Sequence, residues 1–321
     1  MRILVTGSAG FVGSHVVRRL TAARHSVIAV GRSGKESGEC TQRVVDLAVD
    51  SLDPFLEGCD AVVHCAARAS PWGARALFWR DNVLATERLL DAARRAGTVR
   101  RFVHISTPSI YFRYQNQENI AEAFTPPKRW PTHYAETKWA AECRVRAAPG
   151  LGPIILRPRA VFGPGDRAIV PRILAAVDHG ALLLPNGGKA WIDITYVDNV
   201  VAAIEQALIA EGEFEGRAFN IANGEPIQVR DMLTRLFTAL KVGIRFRSIP
   251  ISLALMAARA SETVARLRAG SPEPRLTRYG VGLLAYTQTL SLEAARTCLN
   301  YRPEVSIDQG LEHYARWRSQ Q

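Results

Sequence analysis

Short apolar runs alternate with amphipathic stretches along the first half of the chain. Runs rich in Val, Ile, Leu and Phe between polar boundaries predict strands. The predicted strands are Arg2–Thr6, Ser26–Val30, Ala61–Cys65, Arg101–Ser106 and Pro153–Leu156. Apolar positions at helical spacing predict helices between them, over about 11–23, 80–96 and 134–147. This alternation predicts right-handed βαβ units and therefore an α/β fold with a doubly wound parallel sheet.

The second half of the chain alternates less regularly. Two further strands are predicted at 191–196 and 217–221, and the remaining pieces mix loops with helices. We expect a first domain over residues 1–164 that is completed by about 191–222. The insertions 165–190 and 223–321 are expected to build a second, smaller lobe.

A glycine-rich turn follows the first predicted strand directly. Gly7, Gly10 and Gly13 are spaced GxxGxxG, and a helix is predicted to begin near Phe11 and Val12. In this context Gly7 permits the tight turn, Gly10 lets the backbone approach a pyrophosphate, and Gly13 allows close helix packing. The helix N-terminus adds free N–H groups and a partial positive charge. The turn therefore predicts a dinucleotide site, and a plain glycine turn is the alternative.

The end of the second predicted strand carries an arginine instead of an acid. An NAD site places Asp or Glu there for the ribose 2′-hydroxyl, whereas this chain reads Val30-Gly31-Arg32-Ser33. The guanidinium of Arg32 can pair with a 2′-phosphate through its planar fork of donors. We therefore expect NADP(H) to be preferred, with NAD(H) possible. An exposed loop arginine without a ligand is the alternative.

A tyrosine and a lysine share one face of the helix predicted at 134–147. Tyr134 and Lys138 are spaced i and i+4. The pKa of tyrosine is about 10 in solution, so the phenol is a poor base at neutral pH, and a nearby ammonium favours the phenolate. Tyr134 can then exchange a proton with a substrate oxygen. The alternative is a surface lysine above a core tyrosine.

Hydroxyl side chains follow the strand predicted at 101–106. We expect Thr107 to hydrogen-bond the substrate oxygen beside Tyr134, and Ser106 to face the nicotinamide. Capping of the strand end is the alternative for both residues. With the glycine turn, this set predicts hydride transfer between a nicotinamide and a CH–OH or C=O group.

The order of these motifs resembles the extended short-chain dehydrogenase/reductase superfamily, the NAD-dependent epimerase/dehydratase superfamily, over essentially the whole chain. Further markers are Asp46-Leu47, His64-Cys-Ala-Ala67, Asn82-Val83, Leu156-Arg-Pro158, Gly163-Pro-Gly165, Tyr196-Val-Asp198-Asn199 and Phe219-Asn-Ile-Ala222. The resemblance implies a Rossmann sheet with a substrate-binding lobe built from the insertions. The cofactor contacts that it implies are Asp46 and Leu47 at the adenine, Ala66 and Ala67 along the cofactor, Pro158 near the nicotinamide, and Asn82 and Val161.

Two departures from the sugar-nucleotide branches of the superfamily bear on the substrate. Where 4,6-dehydratases carry Thr-Asp-Glu, this chain has Thr107-Pro108-Ser109, which disfavours dehydration. Where epimerases carry arginine before the Asp of the late strand, Ile192 precedes Asp193, and the loss of a phosphate clamp suits a less polar substrate. A sugar-nucleotide epimerase or ketoreductase stays open, with Arg167 or Arg172 holding the phosphates. A non-catalytic dinucleotide sensor is the further alternative.

Other segments resemble the 3β-hydroxysteroid dehydrogenase-like group. They are Ala67-Arg-Ala-Ser-Pro-Trp72-Gly, Pro274-Arg-Leu-Thr277-Arg and the late Tyr301–Gly310. Within that group the likeness is greatest to the 2-alkyl-3-oxoalkanoate reductases of bacterial olefin biosynthesis. The resemblance implies an NADP(H)-dependent oxidoreductase that reduces a β-oxo group, or oxidises the β-hydroxy group, of a lipid-like acid or sterol. It also implies a homodimer formed through helices 80–96 and 134–147.

The substrate contacts are expected in the loops and the second lobe. Thr107, Ser109, Trp72 and Trp191 are assigned to the substrate pocket, and ordinary core packing is the alternative for the tryptophans. The stretch Ile249–Arg268 predicts an amphipathic helix that forms a wall or lid of the pocket. Peripheral contact with a membrane that holds a lipid-like substrate is its alternative.

Charge and composition exclude other classes of protein. The net charge is +11, but the basic residues, mostly arginine, are scattered and do not form the stripe that nucleic-acid binding requires. No apolar run approaches the roughly 18 residues of a membrane span, and we expect no signal peptide and a mature chain that starts at Met1. The five cysteines lack metal-ligand spacing, so we expect no metal site and a reducing cytoplasm.

Overall fold

The computed structural model describes residues 1–33, 42–212 and 214–321, so Cys40 lies outside the described residues. The strands are β1 Arg2–Thr6, β2 Ser26–Gly31, β3 Gln42–Val44, β4 Ala61–His64, β5 Arg101–Ile105, β6 Gln117–Ile120, β7 Pro153–Pro158, β8 Val161–Phe162, β9 Ala181–Pro185, β10 Trp191–Ile192, β11 Thr195–Tyr196, β12 Arg217–Ile221, β13 Ile227–Gln228, β14 Arg245–Ile249 and β15 Gln288–Leu290. The helices are α1 Phe11–Ala22, α2 Asp53–Leu56, α3 Arg75–Phe78, α4 Ala85–Ala96, α5 His133–Arg146, α6 Val170–Ala175, α7 Val197–Ile209, α8 Val229–Ala239, α9 Ile251–Leu267, α10 Arg278–Ala285, α11 Glu293–Leu299 and α12 Ile307–Arg318.

Across the described ranges, seven strands form a parallel sheet in the order β12-β7-β5-β4-β1-β2-β3. The strand order reverses between β1 and β4, and ligands bind at the carboxyl edge of such a reversal. Helices α1 and α7 cover one face, and α2, α4 and α5 cover the other. The prediction of a doubly wound parallel α/β sheet is confirmed.

Both faces of the sheet are buried, which explains why its strands read as continuous apolar runs. In β1, Ile3 and Val5 pack in the cluster with α1 and α7, whereas Leu4 packs in the cluster with α4. This division follows from the alternation of side chains along a strand. The sheet therefore holds the carboxyl ends of its strands in a rigid row.

A separate hydrophobic cluster lies beside this sheet. It is formed largely by the later segments, with Leu184 of β9, Leu233 and Leu236 of α8, and Leu311 of α12 among its buried residues. A small fourth cluster joins Ala254 and Ala258 of α9 to α10. The division of the chain into the two expected lobes stays a prediction.

The single strand predicted over 191–196 is wrong. β10 pairs with β13 and β15, whereas β11 pairs with β8, and neither strand belongs to the central sheet. The two strands are separated where Asp193 turns inward and accepts the backbone N–H of Leu290 at 2.7 Å. The apolar pattern alone did not reveal this buried polar contact.

Two predicted helices differ in detail from the expectation. The helix predicted over 80–96 opens with a π-helical segment, Trp79–Leu84, before α4, which ends at the left-handed Gly97. The stretch 249–268 forms the expected amphipathic helix, α9, which buries Ala254 and Ala258 and exposes Leu253 and Met256. Among the described residues we find no helix with the length and apolarity needed to cross a membrane.

Candidate active site

The glycine turn at the carboxyl end of β1 has the expected geometry. Gly7 has φ of +68°, and a Cβ there would lie 2.7 Å from the backbone nitrogen of Ala66, at the end of β4. A Cβ on Gly13 would collide with the carbonyl oxygen of Gly7. Helix α1 begins at Phe11 without a side-chain cap, which leaves its first turn open to an anion. These residues fit a dinucleotide phosphate.

A cleft runs from this turn across the ends of β2 and β4. The predicted cofactor residues that line it are Gly7, Gly10, Arg32, Asp46, Leu47, Ala66 and Ala67. Asp81 and Ala85 line it as well, and sequence reasoning had not assigned either residue. Most of the adenosine-side assignments therefore converge on one cleft.

Charged side chains cluster at the outer end of the cleft. Asp81 accepts Arg32 Nη1 at 3.0 Å and Arg68 Nη2 at 2.8 Å on one oxygen, and Arg80 Nη1 at 2.8 Å on the other. Arg80 also pairs with Asp46, which lowers the pKa of Asp46 although burial acts in the opposite direction. Three guanidinium groups against two carboxylates leave an excess positive charge at this end.

Two predicted cofactor side chains are used elsewhere in the structure. The Ser106 hydroxyl donates to the buried carboxylate of Glu142. Asn82 Oδ1 accepts the backbone N–H of Arg68 at 2.7 Å, and its Nδ2 donates to Thr137 Oγ1 at 3.0 Å. Each of these polar groups has a buried partner within the protein, and the contacts of Ser106 and Asn82 with a cofactor stay predictions.

The other predicted cofactor residues lie around the same edge. Phe11 packs edge-on against His15, with ring centroids 5.7 Å apart. Val12 packs against the sheet core, Pro158 closes the buried strand β7, and Val161 pairs with Thr195. Their contacts with a cofactor stay predictions.

Tyr134 and Thr107 meet, as the sequence predicts. Tyr134 lies in the first turn of α5, and the Thr107 side chain is close enough to its phenol to act on the pKa of that phenol. Thr107 also caps the short 3₁₀ turn Pro108–Tyr111, accepts the Ser109 backbone N–H at 3.1 Å and donates to Ser109 Oγ at 2.9 Å. The Tyr279 hydroxyl of α10 donates to the same Ser109 Oγ at 2.8 Å. We call Tyr134, Thr107, Ser109 and Tyr279 the hydroxyl chain.

Electrostatics keeps the Tyr134 phenol protonated in this arrangement. Burial raises the pKa of Tyr134 to about 12, the Thr107 hydrogen bond acts in the opposite direction, and the Tyr279 phenol raises it further. Lys138 is not among the groups that shift this pKa. The expected lowering by Lys138 is therefore not seen in this structure, which favours Tyr134 as a proton donor.

Lys138 lies one turn beyond Tyr134 and is buried. Its Nζ donates to the carbonyl oxygen of Ile105 at 2.7 Å and lies 3.2 Å from His104 Nε2. Burial lowers the pKa of Lys138 to about 8, with Glu142 opposing this shift. Burial and the Lys138 charge lower the pKa of His104 well below its usual value, so the ring is neutral and its Nε2 can accept a hydrogen bond from the ammonium. The ammonium is thus directed to the end of β5, beside the hydroxyl chain.

A buried ion pair supports this end of the sheet. Arg157 of β7 binds Glu142 of α5 with two contacts, Nη2–Oε2 at 2.6 Å and Nε–Oε1 at 2.9 Å. Arg157 also donates to the Tyr111 hydroxyl and to the Glu122 carbonyl oxygen. The pair ties α5, which carries Tyr134, to the central sheet. The arginine of the Leu156-Arg-Pro158 marker is therefore structural.

The predicted substrate tryptophans differ in their surroundings. The Trp72 indole donates to the Ser271 carbonyl oxygen at 2.8 Å, so it joins the loop after β4 to the segment after α9. Trp191 is 45% exposed and does not meet the hydroxyl chain. Arg172, one of the two expected phosphate ligands, pairs with Glu273 at 2.8 Å. None of these contacts identifies a substrate.

Sequence reasoning missed Tyr279, Asp81 and Arg159. Asp81 directly precedes the Asn82 marker, and Arg159 directly follows the Pro158 marker. Their position next to a motif could therefore have identified both as candidate site residues. Tyr279 comes two residues after Thr277, whose side chain caps α10. Nothing in its spacing connects Tyr279 with Ser109, 170 positions away.

The family model described as the NAD dependent epimerase/dehydratase family matches residues 3–222. The chain belongs to this family. The matched segment contains the glycine turn, the cleft and most of the hydroxyl chain, whereas Tyr279 lies beyond it. The resemblance drawn from the motifs is confirmed.

Relatives of this epimerase/dehydratase protein span nearly its whole length. Uncharacterized protein YbjS of Escherichia coli (strain K12) is 35% identical over 333 residues, which cover 99% of this chain and 97% of the relative. The 2-alkyl-3-oxoalkanoate reductase of Stenotrophomonas maltophilia (strain K279a) is 34% identical, covering 97% of each chain. The human sterol-4-alpha-carboxylate 3-dehydrogenase, decarboxylating, is 29% identical, covering 96% of this chain and 86% of the relative.

The fold matches solved structures of the family. MoeE5 in complex with UDP-glucose and NAD superposes with a TM-score of 0.78 and 25% identity, covering 100% of this chain and 99% of that chain. The expected Rossmann fold is confirmed by this likeness. With its reductase and dehydrogenase relatives, this epimerase/dehydratase protein is an NAD(P)-dependent oxidoreductase.

Proposed function

We propose that the chain reduces a β-oxo group, or oxidises the corresponding β-hydroxy group, of a lipid-like carboxylic acid or sterol, with NADP(H) as the preferred cofactor. The observation that carries the proposal is the hydroxyl chain at the carboxyl edge of β5. It brings a protonated phenol to the open edge of the sheet, and Lys138 lies beside it. Relatives named for 2-alkyl-3-oxoalkanoates and sterol carboxylates support the substrate class.

The residues of the chain perform the proton transfer. In reduction, the carbonyl carbon gains a hydride, the π electrons move to oxygen, and the Tyr134 hydroxyl gives its proton to that oxygen. Thr107 would donate to the same oxygen once its hydroxyl turns from Ser109 Oγ to the substrate. Lys138, whose ammonium is directed to the end of β5, would hold the nicotinamide ribose. In oxidation, the phenolate takes the proton back.

A bound nicotinamide dinucleotide supplies the hydride in reduction and accepts it in oxidation. The glycine turn and the open N-terminus of α1 would hold its pyrophosphate, and Leu47 and Ala66 would line the cleft beside it. Arg32, half exposed and already turned into the cleft, would exchange its contact with Asp81 for a 2′-phosphate. This arrangement supports the preference for NADP(H).

Assembly and location follow the same family pattern. We propose that α4 and α5 form the interface of a homodimer, and that residues 165–190 and 223–321 form the substrate lobe. A cytoplasmic location fits the described cysteines, which are free thiols. Helix α9 would wall the substrate pocket, and peripheral contact with a membrane is its alternative role.

The test is a screen for NADPH consumption with β-oxo acids, β-oxo esters, 3-oxosteroids and UDP-sugars. We expect consumption with β-oxo compounds and none with UDP-sugars. Activity confined to UDP-sugars would replace the proposal with the ketoreductase or epimerase alternative. Tight dinucleotide binding without consumption of NADPH by any compound would support the sensor. The Tyr134→Phe variant is the control for enzymatic turnover.

A further inference from the structure

Arg159 occupies a fixed position at the carboxyl end of β7. It follows Pro158 directly, its backbone N–H donates to the Ile221 carbonyl oxygen at 2.9 Å, and its own carbonyl oxygen accepts Thr195 Oγ1 at 2.5 Å. The backbone is thus held by β12 on one side and by β11 on the other. The residue is 6% exposed, so its side chain is enclosed.

The guanidinium of Arg159 has no bonded partner among the residues that the structure describes. Its Nε is buried without a hydrogen bond, and no described carboxylate lies within 4.0 Å of its nitrogens. Arg157, two positions earlier, is equally buried but forms a bidentate ion pair with Glu142. Burying a guanidinium without such a partner lowers the stability of the folded protein. Its five N–H donors suit a bound anion.

The surroundings of Arg159 connect it to the reacting groups. Its charge interacts with the Tyr279 phenol, and that phenol also acts on Tyr134. Tyr279 is therefore within electrostatic range of both Arg159 and the proton donor, and it is hydrogen-bonded to Ser109. Arg159 follows β7 and Thr107 follows β5, and these two strands pair side by side in the sheet. Asp193 is also within electrostatic range of Arg159, but its Oδ2 accepts the Leu290 backbone N–H at 2.7 Å. Asp193 supplies distant counter-charge and leaves the donors of Arg159 free.

We propose that Arg159 binds the carboxylate of the substrate and thereby selects β-oxo and β-hydroxy acids over neutral esters and ketones. In such an acid a single carbon separates the carboxylate from the carbon that carries the reacting oxygen. An anion held at Arg159 would therefore place that oxygen at Tyr134 and Thr107. A planar guanidinium binds a carboxylate with two parallel hydrogen bonds, which fixes the orientation as well as the position. This inference rests on the proposed function and adds a specificity-determining residue to it.

The experiment compares a 2-alkyl-3-hydroxy fatty acid with its methyl ester, because β-oxo acids lose carbon dioxide spontaneously. Affinity is measured by calorimetric titration of the protein with each compound. The ratio of kcat/KM for the acid to that for the ester is measured with NADP⁺. The variants are Arg159→Gln and Arg159→Lys, and the matched control is Arg235→Gln, because Arg235 is already paired with Asp308 at 3.1 Å.

We expect the unmodified protein to favour the acid, and Arg159→Gln to lower the acid-to-ester ratio in both measurements by about a hundredfold. Arg159→Lys keeps the charge without the fork and should give an intermediate ratio. Arg235→Gln should leave the ratio unchanged. Where Arg159→Gln fails to fold, Arg159→Lys provides the comparison.

Two results would overturn the inference while leaving the proposed function intact. One is equal affinity and turnover of acid and ester in the unmodified protein. The other is an equal loss for both compounds in Arg159→Gln, which indicates a structural role. Failure to oxidise either compound, with NADP⁺ still bound, would instead overturn the proposed function and this inference with it.

Discussion

The two ends of the site are built in different ways. The glycine end takes its geometry from consecutive backbone, since β1, the turn and the start of α1 follow one another between Arg2 and Gly13. The reacting end takes its geometry from side chains of β5, α5, β7 and α10, which lie far apart in the chain. A site made of local backbone can be identified from spacing, whereas one made of distant side chains depends on packing.

The two ends also differ in how they hold charge. At the glycine end, Arg32 and Arg80 are partly exposed, and ion pairs of that kind contribute little to stability. At the reacting end, Lys138, Arg157 and Glu142 are buried. There the protein surrounds charge with fixed partners, and removing one partner leaves another charge unpaired. Substitutions at the glycine end should therefore cost little stability, whereas substitutions among the buried charges at the reacting end should lower the stability of the fold.

The largest effect is expected from Tyr134→Phe. Loss of the proton donor should lower kcat by about 10²- to 10⁴-fold, the range for general acid catalysis. The dissociation constant for NADPH should stay within about threefold, because the glycine end is unchanged. Steady-state kinetics and fluorescence titration measure the two quantities. Near-normal turnover would remove Tyr134 from the mechanism.

Arg157→Met should test whether the buried ion pair with Glu142 stabilises the reacting end of the site. The substitution removes the bidentate partner of the buried Glu142 and leaves it the Ser106 hydroxyl and a longer ion pair with Arg146 at 3.5 Å, so we expect the free energy of unfolding to fall by about 3 kcal/mol. Urea denaturation measures this change. The double variant Arg157→Met/Glu142→Met removes both charges and should lose less stability than the single variant. Equal losses would show that the ion pair does not determine the effect.

The stability of the protein should depend on pH through Lys138. Its pKa is about 8 when folded against an ordinary 10.5, so burial of the charged form costs stability below pH 8. Between pH 8 and 10.5 the folded lysine loses its proton while the unfolded lysine keeps it, and stability rises by about 3 kcal/mol. Lys138→Met should lack this rise when unfolding is followed across that pH range. Parallel curves for the two proteins would contradict the buried charge.

Arg32→Asp should give the smallest effect, confined to the glycine end. The introduced carboxylate can accept the ribose 2′-hydroxyl and repels a 2′-phosphate, so the preference should shift toward NAD by about tenfold or more. The ratio of kcat/KM for NADPH to that for NADH measures it, with kcat for the better cofactor near that of the unmodified protein. An unchanged ratio would assign cofactor choice to another residue.

Much of the fold could be predicted from the sequence because local patterns determine it. The strands β1, β2, β4, β5 and β7 and the helices α1 and α5 lie where apolar periodicity placed them. The glycine turn and the Tyr134–Thr107 contact were also predicted, since each belongs to a motif with fixed spacing.

The remaining features depend on contacts that spacing does not encode. The motifs of Ser106 and Asn82 did not reveal that Ser106 donates to Glu142 and Asn82 to Thr137. The strand predicted over 191–196 is divided where Asp193 turns inward to meet Leu290. Tyr279 was missed because its partner, Ser109, is remote in the chain. In each case tertiary packing determines which hydrogen-bond partner a buried polar group finds.

Tyr279 belongs to α10, outside the segment that the family model matches, yet it hydrogen-bonds Ser109 beside the proton donor. A chimera that carries a relative's segment in place of α9 and α10 would therefore change two things together. It would replace Tyr279, which lies near the proton donor Tyr134, and it would replace the proposed wall of the substrate pocket. Exchange of that module in evolution would alter reactivity and selectivity in one event. Homologues with divergent late segments should therefore differ in the pH optimum of turnover even where their glycine turns are identical.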